Sequence, residues 1–172
     1  GGKKSASKFE IEVENVNDVA TGSIEIIGNA TQGAVLTADI SKIIDEDSSD
    51  ISSIAEYQWL RDGVEISGAT SKEFTLSQSD VASVLSLNVS YNDGSDTTET
   101  FSSSATAQVE NVNDAPSGIL RILGTPAQED ILTADISGLS DTDGLGAFSY
   151  QWMRDGTAIS GETNTTLALS EV

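Results

Sequence analysis

"YQWLRDG" at residues 57–63 returns as "YQWMRDG" at residues 150–156, with a single Leu-to-Met change. Tyr57, Trp59 and Arg61 alternate with Gln58 and Leu60, the period of two that sends successive side chains to opposite faces of a β-strand. The Asp-Gly that follows supplies the positive φ angles of a two-residue hairpin turn. The stretch reads as a strand with a Trp on its inner face, running into a hairpin between the third and fourth strands. The Arg-Asp pair also resembles a binding motif, but turn chemistry accounts for it more simply.

The same period recurs on either side. "GSIEIIG" (22–28), "AVLTADIS" (34–41), "KEFTLS" (72–77), "LSLNVSYNDG" (85–94) and "SSATAQVE" (103–110) are short, rich in β-forming residues, and separated by Gly, Asn, Asp and Ser. No segment sustains a 3.6-residue apolar stripe, and "SQSDVASVL" (77–85) has room for one helical turn at most. Roughly seven strands in about a hundred residues predict an all-β fold, an antiparallel immunoglobulin-like β-sandwich. Trp59 is expected between the sheets, with Tyr91 covering one end of the core and Trp152 repeating the role of Trp59. Sugar stacking is the weaker reading, because Trp59 lies in a strand rather than a loop.

Internal repetition sets the organisation. "LTADIS" at Leu36 recurs at Leu132, an offset of 96, whereas Tyr57 recurs at Tyr150, an offset of 93. The difference falls between the matched segments, where "SSDISSIAE" (48–56) faces the shorter "GLGAFS" (144–149), as expected of a loop. "VENVND" is unchanged between residues 13–18 and 109–114. Residues 1–17 therefore read as the closing strand and linker of a preceding repeat, 18–114 as a complete repeat, and 115–172 as a truncated second repeat. The second copy lacks counterparts of "VLSLNVSYNDG" and "TETFSSSATAQVE", so its core is expected to be open. Head-to-tail strand exchange between fragments is a further expectation, the "FEIEVE" segment (9–14) of one filling part of the gap in the next.

Charge and composition narrow the function. Eight Lys and Arg face 28 Asp and Glu, a formal net charge of −20. A nucleic-acid partner needs a basic surface and is excluded. Anionic lipid is disfavoured for the same reason, and 37% apolar content suits a packed core rather than direct membrane insertion. There is no Cys and no His, which removes disulfides, thiolate metal sites and the commonest catalytic base. With the Ser residues in turn-like runs as well, the chain does not read as an enzyme. Any metal must be held by oxygen. The opening "GGKKSASKFE" has no apolar signal-peptide core, so localisation is inferred only indirectly.

In such a sandwich three acidic segments converge at one pole: "NVND" (15–18), "DEDSSD" (45–50) and "YNDGSD" (91–96). None contains Lys or Arg. Each alone is an ordinary solvated turn, but together they repel unless a cation lies between them. Calcium accepts six to eight oxygens in flexible geometry, whereas magnesium demands a tight octahedron. The candidate ligands are Asn17, Asp18, Asp45, Asp47, Asp93 and Asp96. In the second repeat they are Asn113 and Asp114 with Asp141 and Asp143 of "SDTDGLG", a site expected to be weaker without its third contributor.

"NVNDAP" at residues 111–116, joined to tandem units with acidic loops and "YQWMRDG", resembles the extender repeats of RTX-type bacterial surface adhesins over essentially the whole chain. The linker is also similar to the cadherin calcium linker Asp-x-Asn-Asp-Asn-Ala-Pro, from which it departs at Asn111 and at Ala115, so the ligand sets need not coincide. The resemblance implies type I secretion to the cell surface, many tandem repeats in contact with their neighbours, and calcium that stiffens the chain. The alternative reading is a calcium-dependent carbohydrate- or peptide-binding module of a surface protein.

Overall fold

The computed structural model describes residues 8, 10–11, 16–48, 50–94 and 97–171. Its named strands all pair antiparallel, and helix is limited to the single turns Ile51–Ile54 and Gln78–Asp80 among the described residues. The chain divides into two compact units, Gly1–Val112 and Asn113–Val172.

In the first unit, β1 (Glu25–Ile27), β2 (Val35–Asp39) and β5 (Glu73–Thr75) form one sheet in the order β1-β2-β5. A second sheet joins β3 (Glu56–Arg61), β4 (Val64–Glu65), β6 (Leu85–Asn92) and β7 (Thr98–Ser102) in the order β4-β3-β6-β7. The longest strand shows why the sheets face each other. Leu85, Leu87, Val89 and Tyr91 of β6 are buried, while Ser86, Asn88 and Ser90 between them are only partly so. The apolar side meets Leu36 and Ala38 of β2 and Trp59 of β3 in a single core. Each fully buried Leu or Val side chain among these contributes about 1.5–3 kcal/mol. Trp59 is 0% exposed, stacks on Phe74 at 5.6 Å between ring centroids, and donates its indole N–H to the Ser71 carbonyl at 2.8 Å.

The hairpin after β3 turns at Asp62 (φ 49°) and Gly63 (φ 81°), and the second copy at Asp155 (φ 47°) and Gly156 (φ 77°). Both are the positive-φ pairs that an Asp-Gly hairpin requires. The "SQSDVASVL" segment does hold one helical turn. Residues 103–110 differ from expectation. β7 ends at Ser102, and although the chain continues beside β6, side chains replace carbonyls as acceptors. Leu87 N–H donates to Ser103 Oγ at 2.9 Å and Leu85 N–H to Thr106 Oγ1 at 3.0 Å. Hydroxyls that compete for backbone donors interrupt the regular ladder. The segment then closes against the other sheet, Glu110 N–H donating to the Ala30 carbonyl at 2.8 Å.

The second unit repeats the first sheet. β9 (Arg121–Leu123), β10 (Ile131–Asp135) and β14 (Thr166–Ala168) lie in the order β14-β10-β9. Leu132 pairs with Leu167 as Leu36 pairs with Phe74. β8 (Ser117–Gly118) pairs with β11 (Leu139–Ser140), and β12 (Met153–Arg154) forms a hairpin with β13 (Thr157–Ala158). Trp152 again donates to a carbonyl, that of Asn164 at 2.9 Å. Of the segment expected to exchange between fragments, Phe9 and residues 12–14 lie outside the described residues.

Candidate metal centre

The acidic pole of the first unit is assembled from the chain entering β1, the loop leaving β2 and the loop leaving β6. Thr21 and Ile44 exchange two backbone hydrogen bonds of 2.8 Å, which holds the entering chain beside the first loop. Gly22 makes this approach feasible: its φ is +118°, and a Cβ there would lie 2.0 Å from the Lys42 carbonyl oxygen. Just beyond, Asp47 N–H donates to Asp45 Oδ1 at 2.9 Å, an Asx turn that folds the acidic run back on itself.

Three contacts then join the segments. Asp18 N–H donates to Asp47 Oδ2 at 2.5 Å, tying the entering chain to the first loop. The Tyr91 hydroxyl donates to Asp45 Oδ2 at 2.7 Å, tying the end of β6 to the same loop. Gly94 packs so closely on the Asp47 carbonyl that a Cβ would lie 2.9 Å from its oxygen. Asp93 closes its own loop, accepting from Thr97 N–H at 2.9 Å. Asp45 and Asp93 are both buried. Burial, the bond to Asp45, and the negative charges of Asp45, Glu99 and Asp93 all push the Tyr91 hydroxyl well above the usual tyrosine range.

Asn17, Asp18, Asp45, Asp47 and Asp93 are thus gathered at one end of the unit, and Asp96 lies outside the described residues. Asn17 Oδ1 is buried with no hydrogen-bond partner among the described residues. Elsewhere in the unit Lys42 pairs with Glu25 and Arg61 with Asp80. The second unit repeats the scaffold. Asp114 N–H donates to Asp143 Oδ2 at 2.5 Å and Asp143 N–H to Asp141 Oδ1 at 2.9 Å, the distances of the first copy. Asn113 turns its amide to the Asp114 carbonyl at 2.8 Å.

The donor chemistry fits a hard cation: oxygen only, with a shielded acceptor at Asn17. Among the described residues, however, no three acidic side chains already stand together as a metal-holding group, and hydrogen bonds join the segments instead. A carboxylate offers about four lone-pair positions, so accepting a hydrogen bond does not by itself bar it from a cation. Sequence reasoning missed Tyr91 as a tether and Gly94 as a contact, although "YNDG" placed both beside the acidic loop. Among the described residues no helix is long and apolar enough to cross a membrane. No family model matches the chain, and no curated protein matches it in sequence.

Proposed function

We propose that the chain is a structural extender of a secreted bacterial surface adhesin, stiffened by calcium bound at the acidic pole of each repeat. The observation that carries this reading is the joining of the entering chain to the first loop through Asp18 and Asp47, reproduced at Asp114 and Asp143. Asn17, Asp45, Asp47 and Asp93 would hold the ion, with Asp18 at the entering chain. Bound calcium neutralises the gathered carboxylates and removes the swing of the chain entering the unit. The strand orders β1-β2-β5 and β4-β3-β6-β7 support an immunoglobulin-like unit, a module suited to tandem spacing.

Extracellular calcium modules bind at about 10⁻⁴ to 10⁻³ M. With free calcium about a hundredfold above the dissociation constant, one site adds roughly 2.7 kcal/mol. For a domain of about a hundred residues this corresponds to a melting rise of roughly 10–20 °C. Thermal melts in calcium, magnesium and chelator test the reading. Calcium is expected to give the full rise and magnesium a small part of it, and Asp47→Asn is expected to abolish most of the difference. Identical melts in calcium and chelator would refute the proposal.

A further inference from the structure

The second copy of "VENVND", residues 109–114, can be followed residue by residue as the chain leaves the first unit. Val109 is buried in the core, and its carbonyl accepts from Ala82 N–H while its own N–H donates to the Ser83 carbonyl, both at 2.9 Å. Glu110 turns to the hairpin between β1 and β2. Its N–H donates to the Ala30 carbonyl at 2.8 Å, and its carbonyl accepts from Gln32 N–H at 2.9 Å. Main-chain pairing ends there, but the hold on the chain does not. Val112 N–H donates to the side-chain oxygen of the same Gln32, Oε1, at 3.1 Å across 80 residues of sequence.

A second observation shows that this side chain has a task of its own. At the repeat offset of 96, the hairpin "NATQG" (29–33) faces "TPAQE" (125–129), and Gln32 with Gln128 is the only residue in common. The turn itself does not ask for Gln, a residue outside the usual turn formers. Its backbone is reproduced without the shared sequence: Gly33 at φ 81° and Glu129 at φ 67° donate to the Leu76 and Leu169 carbonyls, both at 2.9 Å. The residue kept in a drifting hairpin is therefore the one whose side chain reaches the departing chain, itself a stretch the repeats carry unchanged.

We propose that Gln32 is a positioning residue that anchors the chain leaving the repeat, and that it does so without a cation. Val112 is the last residue of the first unit, and Asp114 N–H is already held within the second by Asp143 Oδ2 at 2.5 Å. Asn113 alone separates these two anchored amides. Motion between neighbouring units is the default where the chain joining them is free, and its range grows with the number of unanchored residues. The acidic pole governs the chain that enters a unit, whereas Gln32 governs the chain that leaves. A neutral amide oxygen makes the second anchor independent of calcium and insensitive to the salt that screens charges.

The test compares Gln32→Met, which keeps the length of the side chain but removes the acceptor, with Gln32→Glu, which keeps an oxygen there. Amide exchange and ¹⁵N relaxation are measured on the full chain in calcium and in chelator. In Gln32→Met the Val112 amide is expected to exchange roughly threefold to tenfold faster, the worth of one hydrogen bond, and the heteronuclear NOE of Val112 and Asn113 to fall. Gln32→Glu is expected to keep the protection. The Gly33 and Glu110 amides should hold their wild-type rates in both variants, since main-chain bonds secure the hairpin. Unchanged Val112 exchange in Gln32→Met, or equal loss in both variants, would overturn the proposal. Equal acceleration at Gly33 and Glu110 would also overturn it, by making Gln32 a support of the hairpin alone. The contrast between wild type and Gln32→Met is expected to be the same in calcium and chelator, and its disappearance in chelator would refute cation independence. Identical melts in calcium and chelator with the Val112 contrast intact would refute the calcium reading and leave this anchor standing.

Discussion

Asp80 shows how much a single side chain can carry. It is wholly buried, and its carboxylate accepts from the Ser77 N–H at 2.8 Å, the Ser77 hydroxyl at 2.7 Å and the Arg61 guanidinium. Burial alone would raise its pKa, but the bonds from Ser77 and Arg61 outweigh that cost and hold the carboxyl below the usual range. The stabilisation is therefore fully present above the unfolded carboxylate pKa of about 3.9 and is lost as pH falls through the lower folded value. Asp80→Asn is expected to cost about 1.5–3 kcal/mol at pH 7, the worth of hydrogen bonds to a charged group. Urea unfolding from pH 7 to pH 2 is expected to show that gap closing below about pH 4. A gap independent of pH would mean that Asp80 is not charged in the fold. The sequence marks Asp62 and Gly63 as a turn, but Arg61's partner lies across the fold.

Among the elements, the connection into β1 decides whether the acidic pole forms. Gly22 sits at φ +118° with the Lys42 carbonyl where a Cβ would be, and Gly118 repeats the arrangement against Gly138 at φ +109°. A side chain there meets both backbone strain and a clash with rigid main chain. Gly22→Ala is expected to cost at least about 2 kcal/mol by chemical denaturation. It should also shift the Asp18 amide resonance, because the Thr21–Ile44 pair that positions Asp18 is displaced. Wild-type stability and an unmoved Asp18 signal would show that the clamp is dispensable. The sequence does not mark this position, since "GSIEIIG" gives no sign that another backbone passes beside its first residue.

At the scale of the whole molecule, net charge acts on every part of the fold at once. A net −20 on 172 residues opposes compaction through self-repulsion that mobile ions screen. Raising sodium chloride from about 10 to 300 mM is expected to raise the melting temperature smoothly by a few degrees, since the Debye length shortens from roughly 30 to below 8 Å. Millimolar calcium is expected to exceed sodium chloride of equal ionic strength, because bound calcium acts at the pole whereas screening acts everywhere. Equal effects at equal ionic strength would leave screening as the whole cause. A fall in melting temperature with sodium chloride would show that favourable pairs such as Arg61–Asp80 outweigh the repulsion.

Hairpin chemistry, most of the strands and the inward side of Trp59 were legible in the sequence because each depends on residues near one another in the chain. Period-two alternation along Leu85–Asn92 already says which side faces inward, and Asp-Gly already says where the chain reverses. The position of the acidic segments at one end also followed, since antiparallel connection alone brings the loops after β2 and β6 to the same pole. Only the tertiary structure decided which atoms meet there. Tyr91 reaches Asp45 across 46 residues, Asp18 reaches Asp47 across 29, and Arg61 reaches Asp80 across 19. Local propensity carries no information about such pairings, because they exist only once the two sheets have packed and fixed the distances between their ends.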